Sequence, residues 1–252
     1  MELQQTDYAL SFGSVADTYD AARPSYPDEL FTELERLTGR PLEGADVLDV
    51  GAGTGIATRL LHARGARVVA VEPSPGMAAR LSAVTPQIPV VKGVGDDLPF
   101  HDASADLITY AQAFHWTDPD RSVPEAMRVL RPGGALALWW NVKDRGSEWL
   151  QAQEDRLAAA LPGYHYYGGV MDATGWFARH DVPVERVTLR WERRIPVDQH
   201  LADLASRSYF AVLDEAERER LLAVERSAVL AVFPDGTVTE PFALDLFVVT
   251  RR

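Results

Sequence analysis

The segment of this 252-residue chain best suited to chemistry is Val47-Leu48-Asp49-Val50-Gly51-Ala52-Gly53-Thr54-Gly55. An apolar stretch runs into glycines at alternate positions, and a helical pattern follows. Glycine permits positive φ and lets backbone amides approach a bound molecule closely. The start of the next helix adds oriented N–H groups. Glu72 stands at the end of the following apolar stretch, 21 residues after Gly51. A carboxylate there can accept hydrogen bonds from two ribose hydroxyls, so turn and acid together predict a site for an adenosine-containing ligand. The plainer alternative is a tight turn beside a solvated glutamate. The spacing is G-x-G-x-G, with Ile56 where a dinucleotide pattern would have its third glycine. That third glycine serves close packing around a pyrophosphate-binding helix. Its absence favours an adenosine ligand that has no pyrophosphate.

The elements that must position these residues alternate. Leu30, Phe31, Leu34 and Leu37 have helical spacing over Asp28–Leu37, which Gly39 and Pro41 end. Strands are predicted at Asp46–Val50, Arg67–Val71, Ile88–Val91, Asp106–Ala111 and Ala135–Trp140. Helices are predicted at Thr54–Arg64, from the Ser74-Pro75 start onward, where a hydroxyl caps and proline takes the first turn, and at Val123–Leu130. Strands alternating with helices imply βαβ units and a mostly parallel sheet with helices on both faces. Glu148–Leu161 reads as a further helix. Val184–Ile195 and Phe242–Thr250 read as an antiparallel pair at one sheet edge. Two helical patterns between them, at 200–212 and 215–232, form an insertion spanning about 197–235. The expected architecture is α/β, a Rossmann-like doubly wound sheet with an antiparallel edge strand. It is expected to form a single domain over 1–252, with residues 1–40 as an arm and helix over the ligand site.

At these residues the sequence resembles the class I S-adenosylmethionine (SAM)-dependent methyltransferases. The pieces that carry the resemblance are VLDVGAGTG at 47–55, VVAVEPSPGM at 68–77, DDLPFHDASADLITYAQAFHW at 96–116 and RVLRPGGALAL at 128–138. The AQAFHW phrase and the opening FGSVADTYDAARPSYP at 12–27 are similar to a branch acting on trans-aconitate and natural products. The resemblance implies a seven-stranded sheet and SAM as cofactor, with S-adenosylhomocysteine as product. It also implies a small-molecule acceptor and secondary metabolism as a setting. Asp49, Gly51, Ala52 and Gly53 match the loop under the methionine part and ribose. Glu72 matches the ribose acid, and Pro73, Ser74 and Met77 the segment beside adenine. Gly95 and Asp96 match the loop at the adenine edge, Ala111 and Gln112 the place of the methionine amino group and transferring methyl. Tyr19 and Arg23 match an arm that closes over SAM. Two positions depart from the pattern. Val94 removes a polar adenine contact, which leaves Asp96 for the N6 amino group, and Pro124 shifts the expected helix start to Ser122 or Val123.

Methyl transfer is an in-line displacement at a sulfonium, and placement of the acceptor supplies much of the acceleration. His115, just beyond the fourth strand, is the candidate catalytic base for a hydroxyl acceptor. The alternative is that His115 and Trp116 pack a loop over the cofactor. Tyr164, Tyr166 and Tyr167, between Pro162-Gly163 and Gly168-Gly169, suit either an acceptor lid or an ordinary surface loop. Two readings compete with methyl transfer: an NAD(P)-dependent oxidoreductase, and a SAM-binding protein without catalysis. The net charge of −12 opposes a nucleic-acid or anionic-membrane partner. There are no cysteines, so thiolate chemistry is excluded, and no spacing suggests a metal. Met1–Leu10 lacks the order of a signal peptide, and Ala135–Trp140, the longest apolar run, is too short to span a bilayer. A cytoplasmic monomer or homodimer is expected.

Overall fold

The computed structural model describes residues 24–161, 173–180, 182–211 and 213–252. Helix α1 (Asp28–Thr38) precedes β1 (Asp46–Val50), α2 (Ile56–Ala63), β2 (Arg67–Val71), α3 (Pro75–Val84), β3 (Val90–Val91) and β4 (Ala105–Ala111). A 3₁₀ turn at Phe114–Trp116 leads to α4 (Pro119–Val129) and β5 (Leu130–Lys143). Then follow α5 (Glu148–Ala160), α6 (Thr174–Ala178), β6 (Glu185–Pro196), α7 (Val197–Ala205), α8 (Ser208–Ala211), α9 (Glu215–Val232) and β7 (Thr237–Thr250). The strands form one seven-stranded sheet in the order β3-β2-β1-β4-β5-β7-β6. Pairing is parallel from β3 to β5, and β7 is antiparallel to both β5 and β6. The expected fold class is therefore the observed one, and the expected antiparallel pair lies at the edge.

The inner strands read as continuous apolar runs because both faces are covered. On one face Val47, Val68, Leu107, Ala137, Trp139 and Leu246 pack against α1 and α2. On the other, Leu48, Val50, Ile108, Leu138 and Trp140 pack against α4 and α6. Helix α1 buries Leu30, Phe31, Leu34 and Leu37, as its periodicity predicts. Burying a large apolar side chain of this kind contributes roughly 1.5–3 kcal/mol. Edge strand β6 alternates between exposed and half-buried residues and carries Arg186, Arg190, Glu192, Arg193 and Arg194. Such charges discourage pairing with another chain.

Three local expectations need correction. Helix α4 begins at Pro119, not at Ser122 or Val123. Asp118 caps it by accepting from the Asp120 N–H at 3.0 Å, and Pro119 takes the first turn. Pro124 lies on the exposed side, where its missing donor is tolerated. Strand β5 starts at Leu130 instead of Ala135, since the chain stays extended around a register shift opposite Ala105–Leu107. Ser74 does precede α3, but its hydroxyl makes no cap bond.

At the outer ends of β5, β6 and β7 a polar layer divides the apolar face. Glu240 is fully buried and receives Lys143 Nζ at 2.8 Å, Arg193 Nε at 2.5 Å and His200 Nδ1 at 2.5 Å. The other ring nitrogen of His200 faces the Gln153 amide nitrogen at 3.0 Å. An amide nitrogen only donates, so His200 Nε2 accepts and Nδ1–H donates to Glu240. Gln153 also donates to Glu225, which holds Arg156 through both oxygens. The layer thus fastens α5, α7 and α9 to the sheet. No helix among the described residues is long and apolar enough to cross a membrane, and none of their His, Asp and Glu side chains form a cluster of three suited to a metal.

Candidate functional site

Strand β1 lies between β2 and β4, where the strand order reverses. Open α/β sheets bind ligands at such a switch point, outside the carboxyl ends of the strands. The loop after β1 takes positive φ at Gly51 (68°), Gly53 (59°) and Gly55 (88°). The N–H groups of Gly51 and Ala52 donate to the Val71 carbonyl at 2.8 and 3.2 Å, fastening the loop to the end of β2. A Cβ on Gly51 would lie 2.5 Å from the Ala113 Cβ, whereas one on Gly53 would meet nothing within 4 Å. Gly51 is therefore required by the fold, while Gly53 borders open space. Gly51→Ala should destabilise the protein by about 1–3 kcal/mol through overpacking and strain at positive φ. A chemical-denaturation midpoint equal to that of wild type would contradict this.

Asp49 is fully buried beneath the loop. Its oxygens accept from Thr58 Oγ1 at 2.6 Å and Thr109 Oγ1 at 2.8 Å. Burial pushes its pKa up to about 6, against the opposing pull of the two hydroxyls. A carboxyl whose folded pKa exceeds its unfolded value favours the protonated fold. Its contribution to stability is full below pH 3.8 and is lost as pH rises through about 6. Asp49→Asn should remove this dependence. Between about pH 4 and pH 7 the variant should gain roughly 3 kcal/mol on wild type in ligand-free unfolding. Parallel pH profiles would refute the assignment.

Glu72 is buried at the end of β2. Its Oε2 accepts from the Gly53 N–H at 2.8 Å, and Oε1 accepts from the Ser74 N–H at 2.8 Å. Burial raises its pKa, and these two bonds oppose the rise. The carboxylate clasps the glycine loop to the start of α3. Each oxygen still has a lone pair, because a carboxylate offers about four acceptor positions. Ser74 Oγ and Tyr110 Oη are buried without a hydrogen-bond partner. Met77 is buried, and Pro73 and Ala52 are half-buried. Gly95 is buried, and a Cβ there would lie 2.6 Å from Tyr110 Oη. Asp96 is half-buried, and burial raises its pKa. Its Oδ1 accepts from the Asp118 N–H at 3.0 Å, tying the loop after β3 to the cap of α4.

Ala111 ends β4, and Gln112 follows with a φ of 56°, unusual for a non-glycine residue. The Gln112 N–H donates to the Trp139 carbonyl at 2.8 Å. Backbone held in this region is found at ligand sites. His115 Nδ1 accepts from Trp140 Nε1 at 3.2 Å, and burial draws the ring's pKa down to about 4. Tyr19, Arg23, Tyr164, Tyr166 and Tyr167 lie outside the described residues. Around the carboxyl ends of β1 and β2 the structure brings together Asp49, Gly51, Ala52, Gly53, Glu72 and Ser74. Thr58, Thr109 and Trp140 are site residues that sequence reasoning misses. Thr109, a polar residue within an apolar strand, is the one signal that could have found its role.

The residues fit an adenosine ligand with a diol. Space opens at Gly53, a buried acid with spare lone pairs stands beside it, and an unpartnered buried hydroxyl, Ser74 Oγ, lies at the end of the clasp. Residues 48–138 match a family described as methyltransferase domain. An uncharacterised methyltransferase of Mycobacterium tuberculosis is 44% identical over 151 residues, 60% of each chain. One of Schizosaccharomyces pombe is 33% identical over 138 residues, 54% of each. The chain thus aligns with less than two thirds of the length of these relatives. A provisionally assigned type II methyltransferase from Anaeromyxobacter dehalogenans shares the fold with a TM-score of 0.66 and 27% identity, over 91% of this chain and 97% of its own. Phosphoethanolamine N-methyltransferase 2 of Haemonchus contortus, in complex with SAM, shares it with a TM-score of 0.57 and 15% identity, over 96% of this chain and 60% of its own. Residues 48–138 accordingly match the methyltransferase domain family, and the seven-stranded fold that holds them is the one found in class I methyltransferases.

Proposed function

We propose that this chain transfers a methyl group from SAM to a small-molecule acceptor. The observation that carries the reading is the Glu72 clasp at the switch point, with open space at Gly53 beside it. Glu72 would hold the ribose diol. Ala52 and Gly53 would pass beneath the ligand. Pro73, Ser74 and Met77 would border the adenine, and Asp96 would accept from its N6 amino group. Ala111 and Gln112 would lie beside the methionine part. SAM supplies a methyl group on a sulfonium, whose leaving group needs no acid. The chain's task is to place the acceptor in line and to exclude water.

The matched methyltransferase domain and the fold support this reading. A small acceptor fits the charge of −12, which opposes phosphate-rich polymers. The fold does not select the acceptor, because function lives in the site built upon it. Titration calorimetry with S-adenosylhomocysteine should give saturable 1:1 binding, and NAD(H) should give none. Labelled methyl from SAM should then appear in a small-molecule acceptor pool. Binding of NAD(H) in preference to S-adenosylhomocysteine would sink the proposal. Binding without any transfer would reduce it to a sensor.

A further inference from the structure

We propose that Asn141 determines acceptor specificity: its side-chain N–H donates to an uncharged carbonyl oxygen of the methyl acceptor, and Trp191 fixes the amide in that orientation. The proposal rests on the methyl-transfer reading and names the handle by which the acceptor is held. An indole N–H only donates. Trp191 Nε1 lies 2.9 Å from Asn141 Oδ1, so the amide oxygen is the atom that meets it. The amide nitrogen is then turned to the other side of the Cβ–Cγ bond, away from β6. Trp191 is held in turn, its ring stacked on that of buried Phe242 with centroids 4.9 Å apart.

Asn141 is only 6% exposed, and its Nδ2 has no hydrogen-bond partner among the described residues. On the same face of β5, two residues earlier, fully buried Trp139 also has an unpartnered donor, Nε1. A buried donor left unpaired is costly, and native structures rarely strand two on one face. Their place in the sheet says what would satisfy them. Trp139 pairs with Ala111, the last residue of β4, and the same face carries Asp49 and Thr109 beneath the glycine loop. Strand β4 ends there, whereas β5 runs on to Lys143. Gln112 leaves the sheet with its positive φ. Asn141 therefore borders the step where β4 has stopped, at the residues expected beside the transferring methyl.

Both orphan groups are donors, so the ligand brings acceptors. Lys143 and Arg193, the cations farther along this face, both bind Glu240. An anion at Asn141 would be buried against an uncharged donor, at the sheet end that already holds Asp49 and Glu72. A carbonyl oxygen takes the bond without that cost and brings no proton needing an acceptor of its own. The bond orients the acceptor, Asn141 takes no proton, and Trp191 is a positioning residue.

Asn141 is the only asparagine of the chain, so ¹⁵N-asparagine labelling gives a single side-chain amide signal pair. In protein saturated with S-adenosylhomocysteine, acetophenone, benzoate and toluene serve as carbonyl, carboxylate and apolar probes. Acetophenone should move the Asn141 amide protons saturably, toluene should not, and benzoate should need at least about tenfold more. Bound acetophenone should also give a nuclear Overhauser contact to the ¹³C-labelled methyl of SAM. Trp191→Phe keeps a ring on Phe242 and releases the amide, and should weaken the acetophenone response about three- to tenfold. The double variant Asn141→Leu/Trp191→Phe strands no buried polar group and should bind S-adenosylhomocysteine within about threefold of wild type. No response to acetophenone, an equal response to toluene, or tighter binding of benzoate overturns the proposal. So does saturation without the contact to the methyl, or an unaltered response in Trp191→Phe. A tenfold or greater loss of S-adenosylhomocysteine affinity in the double variant would assign the amide to the cofactor and overturn it as well. Failure of wild type to bind S-adenosylhomocysteine would instead refute the methyl-transfer reading, and the probes titrated into the free protein would still test the donor.

Discussion

Glu240→Ala should lower the unfolding free energy by about 3–5 kcal/mol, because it strands buried cations. The Lys143 and Arg193 side chains that meet Glu240 are only 9% and 12% exposed. With the carboxylate gone they cannot regain water without moving, and the His200 Nδ1–H also loses its acceptor. Glu240→Gln should cost less, since it keeps an acceptor oxygen and loses only the charge. The dependence on pH has a definite sign. Burial alone would raise the Glu240 pKa, but Lys143, His200 and Arg193 together hold it well below the usual carboxylate range. The stabilisation is therefore present above the unfolded carboxylate pKa and is lost as pH falls through the folded one. Urea unfolding of the three proteins at neutral pH checks the order wild type, glutamine, alanine. An alanine variant as stable as wild type would show that the layer is solvated and contributes little.

That layer also shows where sequence reading stops. Lys143 and Glu240 are 97 residues apart, and His200 and Glu240 are 40 apart. Each alone looks like an ordinary surface charge near the end of a strand or helix. Only the long β5–β7–β6 pairing brings them into one buried layer. The carboxyl edge of β1 is legible for the opposite reason. An acid inside an apolar strand, glycines at a strand-to-helix turn and a second acid after the next strand are local signals, and Asp49, Gly51, Gly53 and Glu72 announce themselves. Strands β1 and β2 fall at their expected residues. Strand β5 reads too short in sequence because Pro132-Gly133-Gly134 resembles a turn, whereas the chain remains extended around a bulge. The expected start of α4 falls too late because the Asp118-Pro119 cap outweighs the break that Pro124 suggests. The His115–Trp140 pairing joins the 3₁₀ turn after β4 to a residue within β5, 25 apart in sequence, and no spacing rule could find it.

Glu72→Ala should weaken S-adenosylhomocysteine binding by roughly 1–3 kcal/mol, a loss of about 5- to 150-fold. The single variant is ambiguous by itself. Glu72 holds the Gly53 and Ser74 N–H groups, so alanine also loosens the loop on which the ligand would lie. A cycle that pairs the protein change with a ligand change separates the two effects. The ligand change is an S-adenosylhomocysteine analogue lacking one ribose hydroxyl. If the carboxylate grips the diol, wild type should lose about 1 kcal/mol or more on this analogue, while the alanine variant loses little. If Glu72 only braces the loop, both proteins should lose the same amount and the coupling should be near zero. Gly53→Val supplies the steric counterpart. Its side chain would enter space that is open in the ligand-free fold, at a φ that a branched residue resists. It should abolish binding more completely than Glu72→Ala while leaving the Glu72 contact to Ser74 in place. A folded valine variant that binds with wild-type affinity would move the ligand away from this loop, and the assignment of Glu72 would fall with it.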